Sequence, residues 1–297
     1  MIEMAENKEK KVNNRQRRMD NVISVLKNDK LSIFAIAYLI ILIVVMLILP
    51  LTSLDPTTTD VTSMLAKPSA EHWFGTDELG RDYFARVLYG GRVSLLVGIL
   101  AMAASASIGI TVGTVAGYFG GIVDAVLMRI VDVLSSIPWL ILVSVVSLFL
   151  KRGIVSIILV IGLFTWMGTA RLTRAETLSI KEREYIMYAR FAGVPTWKII
   201  LFHIIPTAFP TIIVVATTTI ADAIMTEASL SFLGLGIVQP ASSWGSLLQR
   251  AQGYLQSSIH MALLPGLLIV LTVLSFNKLG NLLRIYIEPR VSSGDAN

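Results

Sequence analysis

An all-α integral membrane protein with six membrane-spanning helices is the fold class this sequence predicts, and three observations carry it. The first is composition: 297 residues are 54% hydrophobic and only 15% charged, with a mean hydropathy of +0.71, more apolar surface than a soluble core encloses. The second is run length. A hydrocarbon core about 30 Å thick needs roughly 20 apolar residues per helix, and six runs qualify, near 31–52, 93–118, 121–149, 153–170, 207–232 and 261–287. The third is charge placement, since loops rich in Lys and Arg stay in the cytoplasm. With the N-terminus inside, that side holds eight in the tail to Lys30, Arg129, six across 171–206 and three from Lys278 onward. The other side holds seven: Lys67, Arg81, Arg86, Arg92, Lys151, Arg152 and Arg250. Both termini are therefore expected in the cytoplasm, and the net charge of +5 follows from topology. Nucleic acid is not implied, because the basic residues are dispersed among spans.

Residues 1–30 read as a cytoplasmic tail whose basic run, from Lys8 to Arg18, is solvated near anionic lipid or grips a partner. Within it, 19–30 can form an interfacial helix through Val22, Ile23, Val25 and Leu26. The first span, 31–52, is unbroken from 31 to 49 and follows some 30 polar residues, so it reads as an uncleaved anchor, not a signal peptide. Residues 53–91 form an extracytoplasmic loop, too polar to span, in which Asp77 caps a surface helix over 78–89 with Leu79, Phe84, Val87 and Leu88 inward.

Residues 92–290 hold the five remaining spans, ahead of a C-terminal tail, 291–297. In the second span Ala101, Ser105, Gly109, Gly113 and Gly117 recur every four residues, a face of small side chains that lets another helix approach closely. That face serves a static contact or a sliding one. Pro138 and Pro210 mark kinks in the third and fifth spans. Charges at membrane depth are costly unless paired or hydrated. In the third span, Arg129 and Asp132 are three residues apart and meet on one helix face, either as a structural pair or as a gate. In the fifth, Asp222 lies about 22 Å along a helix beginning near 207, in a polar strip with Thr226 and three other threonines, and Glu227 lies near the outer end. Asp132, Asp222, Thr226 and Glu227 are thus candidates for a hydrated translocation route, or else satisfied buried carboxylates.

Catalysis and metal binding find no foothold. There is no cysteine, and His72, His203 and His260 are spread over both sides of the membrane, so no catalytic residue and no metal site is expected. No G-x-x-x-x-G-K-[ST] string occurs, so nucleotide phosphates are not cradled by that route. Any energy source is borrowed.

The segment that explains the borrowing is 183–206, a polar, glycine-broken insert between apolar spans. Residues 176–192 read as helix with Tyr185, Met187, Tyr188 and Phe191 offering contact area and Glu184 and Arg190 exposed, a surface that fills a groove on a soluble partner. Gly193 closes the helix, Pro195 turns the chain, and Thr196 caps a second helix over 197–205. A rigid elbow results. The spacing of Met187-Tyr188-Ala189, then Gly193, then His203-Ile204-Ile205-Pro206 resembles the EAA loop of the membrane subunits of bacterial ABC importers. Phe74-Gly75-Thr76-Asp77-Glu78-Leu79-Gly80-Arg81-Asp82, Gly117-Tyr118-Phe119-Gly120-Gly121, Leu230-Ser231-Phe232-Leu233-Gly234 and Ser243-Trp244-Gly245 are similar to strings of the C-type permease of dipeptide, oligopeptide and nickel importers. The chain departs from the loop pattern at Met187 and Tyr188, where Glu and Ala are usual; the acid nearest in sequence is Glu184.

What the resemblance implies is a type I importer permease in the bacterial cytoplasmic (inner) membrane. It would pair with a second, B-type permease and be driven by two ATP-binding subunits that use ATP and Mg. An extracytoplasmic binding protein would supply it, and this chain itself would hold no cofactor. Glu184, Tyr185, Met187, Tyr188, Ala189, Arg190, Gly193 and Pro206 would form the ATPase contact. Asp77, Glu78, Arg81 and Trp244 would meet the binding protein or form the outer gate, with an interfacial anchor the simpler role for Trp244. Cargo is peptide or, alternatively, nickel or a metallophore. From a different class, an ion-coupled secondary transporter would use Asp132, Asp222 and Glu227 as ion sites and leave the elbow unexplained.

Overall fold

The computed structural model describes residues 24–27 and 29–287. Most of the tail expected over 1–30, including its basic run, and all of 291–297 lie outside the described residues, although 24–27 are helical. Among the described residues from 30 onward, ten α-helices carry the architecture: α1 Lys30–Ile48, α2 Tyr83–Phe119, α3 Gly121–Ser136, α4 Trp139–Phe149, α5 Ile154–Lys181, α6 Glu184–Phe191, α7 Thr196–Ile199, α8 Ile205–Phe232, α9 Trp244–Ala251 and α10 His260–Ile287. α7 runs into α8 through a π turn, Ile200–Ile204.

Five segments are long and apolar enough to cross a membrane, and a sixth appears when α3 and α4 are taken as one broken span. The third span is thus not a kinked helix. α3 and α4 meet at 88°, because Ile137 takes an extended conformation and Pro138, which has no N–H and disfavours a helical predecessor, occupies the N-cap of α4. Pro210, by contrast, sits inside a continuous α8. A second correction concerns the loop before the second span. No separate helix forms over 78–89; Asp82 accepts a hydrogen bond from the Ala85 N–H at 2.8 Å and caps α2, which then runs 37 residues without a break.

α2 is the central helix, packed along α5 on one side and α8 on another, while α10 bridges α8 and α1. The small-residue face lies at the α2–α5 contact: a Cβ at Gly109 would fall 2.7 Å from the Thr169 Cβ, and one at Gly117 2.7 Å from the Thr177 Cβ. Backbone approach that close needs glycine. α3 is tied to α5 by Arg174 on Asp124 and by Arg171 on Asp132. The expected pairing of Asp132 with Arg129 does not form; the acids reach across to α5 instead, where two arginines stand on the facing helix. α1 touches mainly α10, with the Tyr38 hydroxyl 2.9 Å from Thr272 Oγ1 and Lys278 Nζ donating to Asp29 Oδ2 at 2.7 Å.

Candidate functional site

The elbow is built on a small apolar core of its own. Ile186 of α6, Ile199 of α7 and Ile204 pack with Ile180 of α5 and with Ala208 and Ile212 of α8, joined by Tyr118 from α2. The helix read over 176–192 is in fact two. α5 ends at Lys181, Glu182 and Arg183 turn the chain, and α6 starts at Glu184. At its far end Gly193 has φ +72°, its N–H donates to Arg190 O at 3.0 Å and that of Val194 to Ala189 O at 3.1 Å. This is the Schellman closure, in which a left-handed glycine lets two N–H groups cap the last carbonyls. The second arm starts differently from the expectation. Pro195 is its N-cap, Thr196 is the first helical residue, and no side chain caps it. Pro206 falls in the first turn of α8, directly after the π turn.

Outward, the same elbow is apolar. Tyr185, Met187 and Tyr188 are exposed with Phe191, which is 89% accessible, and Trp197 and Phe202 extend the surface along the second arm. Glu184, Arg190, Gly193 and Pro206 are exposed beside them, whereas Ala189 is half-buried. The Arg190 guanidinium stacks 4.8 Å from the Tyr118 ring centroid, and Lys181 Nζ donates to Gly117 O at 2.9 Å, so two cations lock the elbow to the end of α2.

At the opposite end of the bundle, the loop over 75–82 closes around one carboxylate. Asp77 Oδ1 accepts from the N–H groups of Leu79 and Arg81 at 2.9 and 3.0 Å, while Oδ2 accepts from Arg81 Nε at 2.8 Å and lies 3.1 Å from Arg86 Nε. That last contact is an ion pair without hydrogen-bond alignment, and Arg86 Nη2 has no hydrogen-bonding partner among the described residues. Gly80, at φ +72°, abuts the backbone of Asp60, which fixes the turn. Glu78 Oε1 accepts from Arg250 Nη1 of α9 at 3.1 Å; burial pushes the Arg250 guanidinium down from its ordinary value, with Glu78 opposing. Asp77, Arg81 and Trp244 are all buried. They do not form a surface for a delivering protein in this structure, nor is Trp244 an interfacial anchor: its indole N–H donates to Val87 O at 3.0 Å. Glu78 alone of the four is partly open.

Glu227 is also enclosed rather than lining a route. It is fully buried, accepting from Ser94 Oγ at 2.9 Å and Ser231 Oγ at 2.7 Å, while Ser94 Oγ accepts from the Trp244 N–H at 3.2 Å. Asp222 is exposed on α8 and Thr226 half-buried. Asp132 is exposed on α3, and no hydrogen bond or ion pair joins it to the α8 group among the described residues. The sequence reading missed Arg86, Arg171 and Arg174. Their signal was present as arginines at apolar-span edges, but their partners lie elsewhere in the chain.

Comparison with known proteins agrees with this fold. The model of binding-protein-dependent transport system inner membrane components matches residues 109–293. A dipeptide transport system permease protein of Alkalihalophilus pseudofirmus is 37% identical, over 90% of this chain and 88% of that one. An oligopeptide transport system permease protein of Bacillus subtilis is 34% identical over 89% and 87%, and a glutathione transport system permease protein of Pectobacterium atrosepticum 41% over 76% and 75%. Among solved structures, an inward-facing MetNI methionine ABC transporter shares the fold, with a TM-score of 0.56 and 20% identity over 68% of this chain and 97% of that chain. These matches do not favour an ion-coupled secondary transporter. The chain belongs to the inner-membrane components of binding-protein-dependent transport systems, as a multi-pass permease subunit of an ABC importer.

Proposed function

We propose that this chain moves di- or oligopeptides into the cytoplasm, driven by separate ATPases that grip the 183–206 elbow. The carrying observation is the elbow's two-sided construction: a buried isoleucine core makes it a rigid body, and its outer face presents Tyr188 and Phe191 uncovered by the other described residues. A partner that closes on such an element transmits motion to α5 and α8 at once. Aromatic side chains supply most of the binding area in such grooves, so Met187 and Tyr188 hold the ATPase by apolar contact, with Glu184 and Arg190 at the rim.

The relatives named above are permeases of dipeptide, oligopeptide and glutathione systems. All three cargoes are peptides, which favours peptide over a nickel chelate here. The elbow end faces the cytoplasm, ATP and Mg are used by two partner subunits, and this chain binds neither. α3 and α4 expose apolar residues along nearly their whole length, and a second permease of the B type covers them. An extracytoplasmic binding protein delivers cargo to the opposite end.

The test is to purify the chain with its partners, reconstitute the complex with the binding protein, and measure ATP-dependent uptake of di-, tri- and longer peptides beside nickel chelates. Peptide uptake with no ATPase activity from this chain alone is expected. In parallel, Gly193→Pro cannot adopt φ +72° and loses the N–H bonded to Arg190, so ATPase association and uptake should fall together by about tenfold or more. Retention of both would overturn the coupling role.

A further inference from the structure

The corner between α3 and α4 encloses an open cavity of about 420 Å³, lined by Ser135, Ile137, Pro138, Trp139, Met167 and Arg171 among others. That volume falls within the roughly 300–1,000 Å³ of small-ligand sites. Most of its wall is apolar, and Met167 is unbranched and adaptable, a lining that accepts side chains of varied shape. Arg171 is its one cation.

Two arginine–aspartate rungs join α3 to α5, and they are not equivalent. Arg174 holds Asp124 with two bonds, at 2.5 and 2.6 Å. Arg171 uses Nη2 alone, toward Asp132 Oδ1 at 3.0 Å and Ser135 Oγ at 3.0 Å, and the side chains of that pair are 47% and 61% exposed. A doubly bonded rung anchors the helices. An exposed pair with one contact contributes little net stability, so an incoming carboxylate displaces Asp132 at little cost and gains a planar guanidinium suited to bidentate binding. The exposed pair is also at odds with a lipid-facing surface, because charges at the edge of hydrocarbon face water or protein.

We infer that this cavity binds the terminal carboxylate of a peptide in transit, with Arg171 as the cation that recognises it and the apolar wall receiving its last side chains. Asp132 is the internal competitor that keeps the contact weak enough for release. The inference rests on the peptide-permease reading above.

Equilibrium binding of radiolabelled tri-alanine and of its C-terminal amide to the nucleotide-free complex, without binding protein, tests it. The wild type should bind the acid at least about tenfold more tightly than the amide, and Arg171→Gln should remove that preference. Arg171→Lys should restore part of it, and Asp132→Asn should tighten acid binding about two- to fivefold by removing the competitor. Absence of saturable binding by the wild type, equal binding of acid and amide, or weaker binding by Asp132→Asn would overturn the assignment. If Arg171→Gln does not assemble, the Lys and Asn variants still decide. Uptake by the wild-type complex separates the two failures: a complex that imports no peptide defeats the peptide reading, whereas one that imports peptide without acid preference defeats this inference alone.

Discussion

Glu227 shows how a charge-bearing residue in a membrane span can be structural. Its carboxylate collects the hydroxyls of Ser94 and Ser231, and through Ser94 it reaches the first N–H of α9, so one side chain joins α2, α8 and α9. Removing it leaves buried donors without an acceptor, at about 1–3 kcal/mol each. Glu227→Ala should therefore destabilise the protein by about 2–4 kcal/mol, while Glu227→Gln, with the same shape and a remaining acceptor, should lose less than about 1.5 kcal/mol. Thermal unfolding in detergent gives the comparison, and equal midpoints for the two variants would remove the structural role. Glu227 was legible in the sequence as a costly intramembrane acid. Its enclosure was not, since Ser94 lies 133 residues away. The Asp77 cluster divides the same way: Asp77 and Arg81 are neighbours in the chain, yet Arg250 of α9 completes the network through Glu78.

Among the elements, the α2–α5 contact and the elbow were the most readable. The four-residue recurrence of small side chains along α2 pointed to close packing, and a Cβ at Gly113 would stand 2.8 Å from the Thr173 Cβ, whereas one at Gly168 meets nothing within 4 Å. Gly113→Ala should accordingly cost about 1–3 kcal/mol through forced separation of the helices. Gly168→Ala should be neutral or stabilising by up to about 1 kcal/mol through helix propensity. Unfolding midpoints of the two single variants check this, and a neutral Gly113→Ala would mean that the contact is loose. In the elbow, the Gly193 closure followed from its place after an amphipathic run. The break at Glu182 and Arg183 did not, because neither Gly nor Pro marks it; α5 stops where the chain turns to bury Ile186 against Ile180.

Across the whole molecule, α1 is held to α10 by a polar clasp. The neighbouring Lys278 ammonium, with Ser32, holds the Asp29 carboxyl well below the usual 3.8, at about 2, and Asp29 also caps α1 through the Leu31 N–H. A carboxyl whose folded value is depressed stabilises above its unfolded value and loses that contribution as pH falls through the folded one. The clasp is thus complete above about pH 4 and fades toward pH 2. Asp29→Asn should lower the unfolding midpoint at neutral pH and converge with the wild type near pH 2; a difference that does not change with pH would place the effect in the cap rather than the charge. Span number, the small-residue face, the elbow and the importer family were all accessible before folding was considered. Run length, four-residue recurrence and a short motif are local properties, each written within one continuous stretch of chain. Which acid meets which arginine is not local. Asp124 and Arg174 are 50 residues apart, as Asp132 and Arg171 are 39, whereas the right-angle break beside Arg171 is marked locally by Pro138. Those pairings exist because segments distant in sequence come within hydrogen-bond reach, and that distance is a property of the assembled helices.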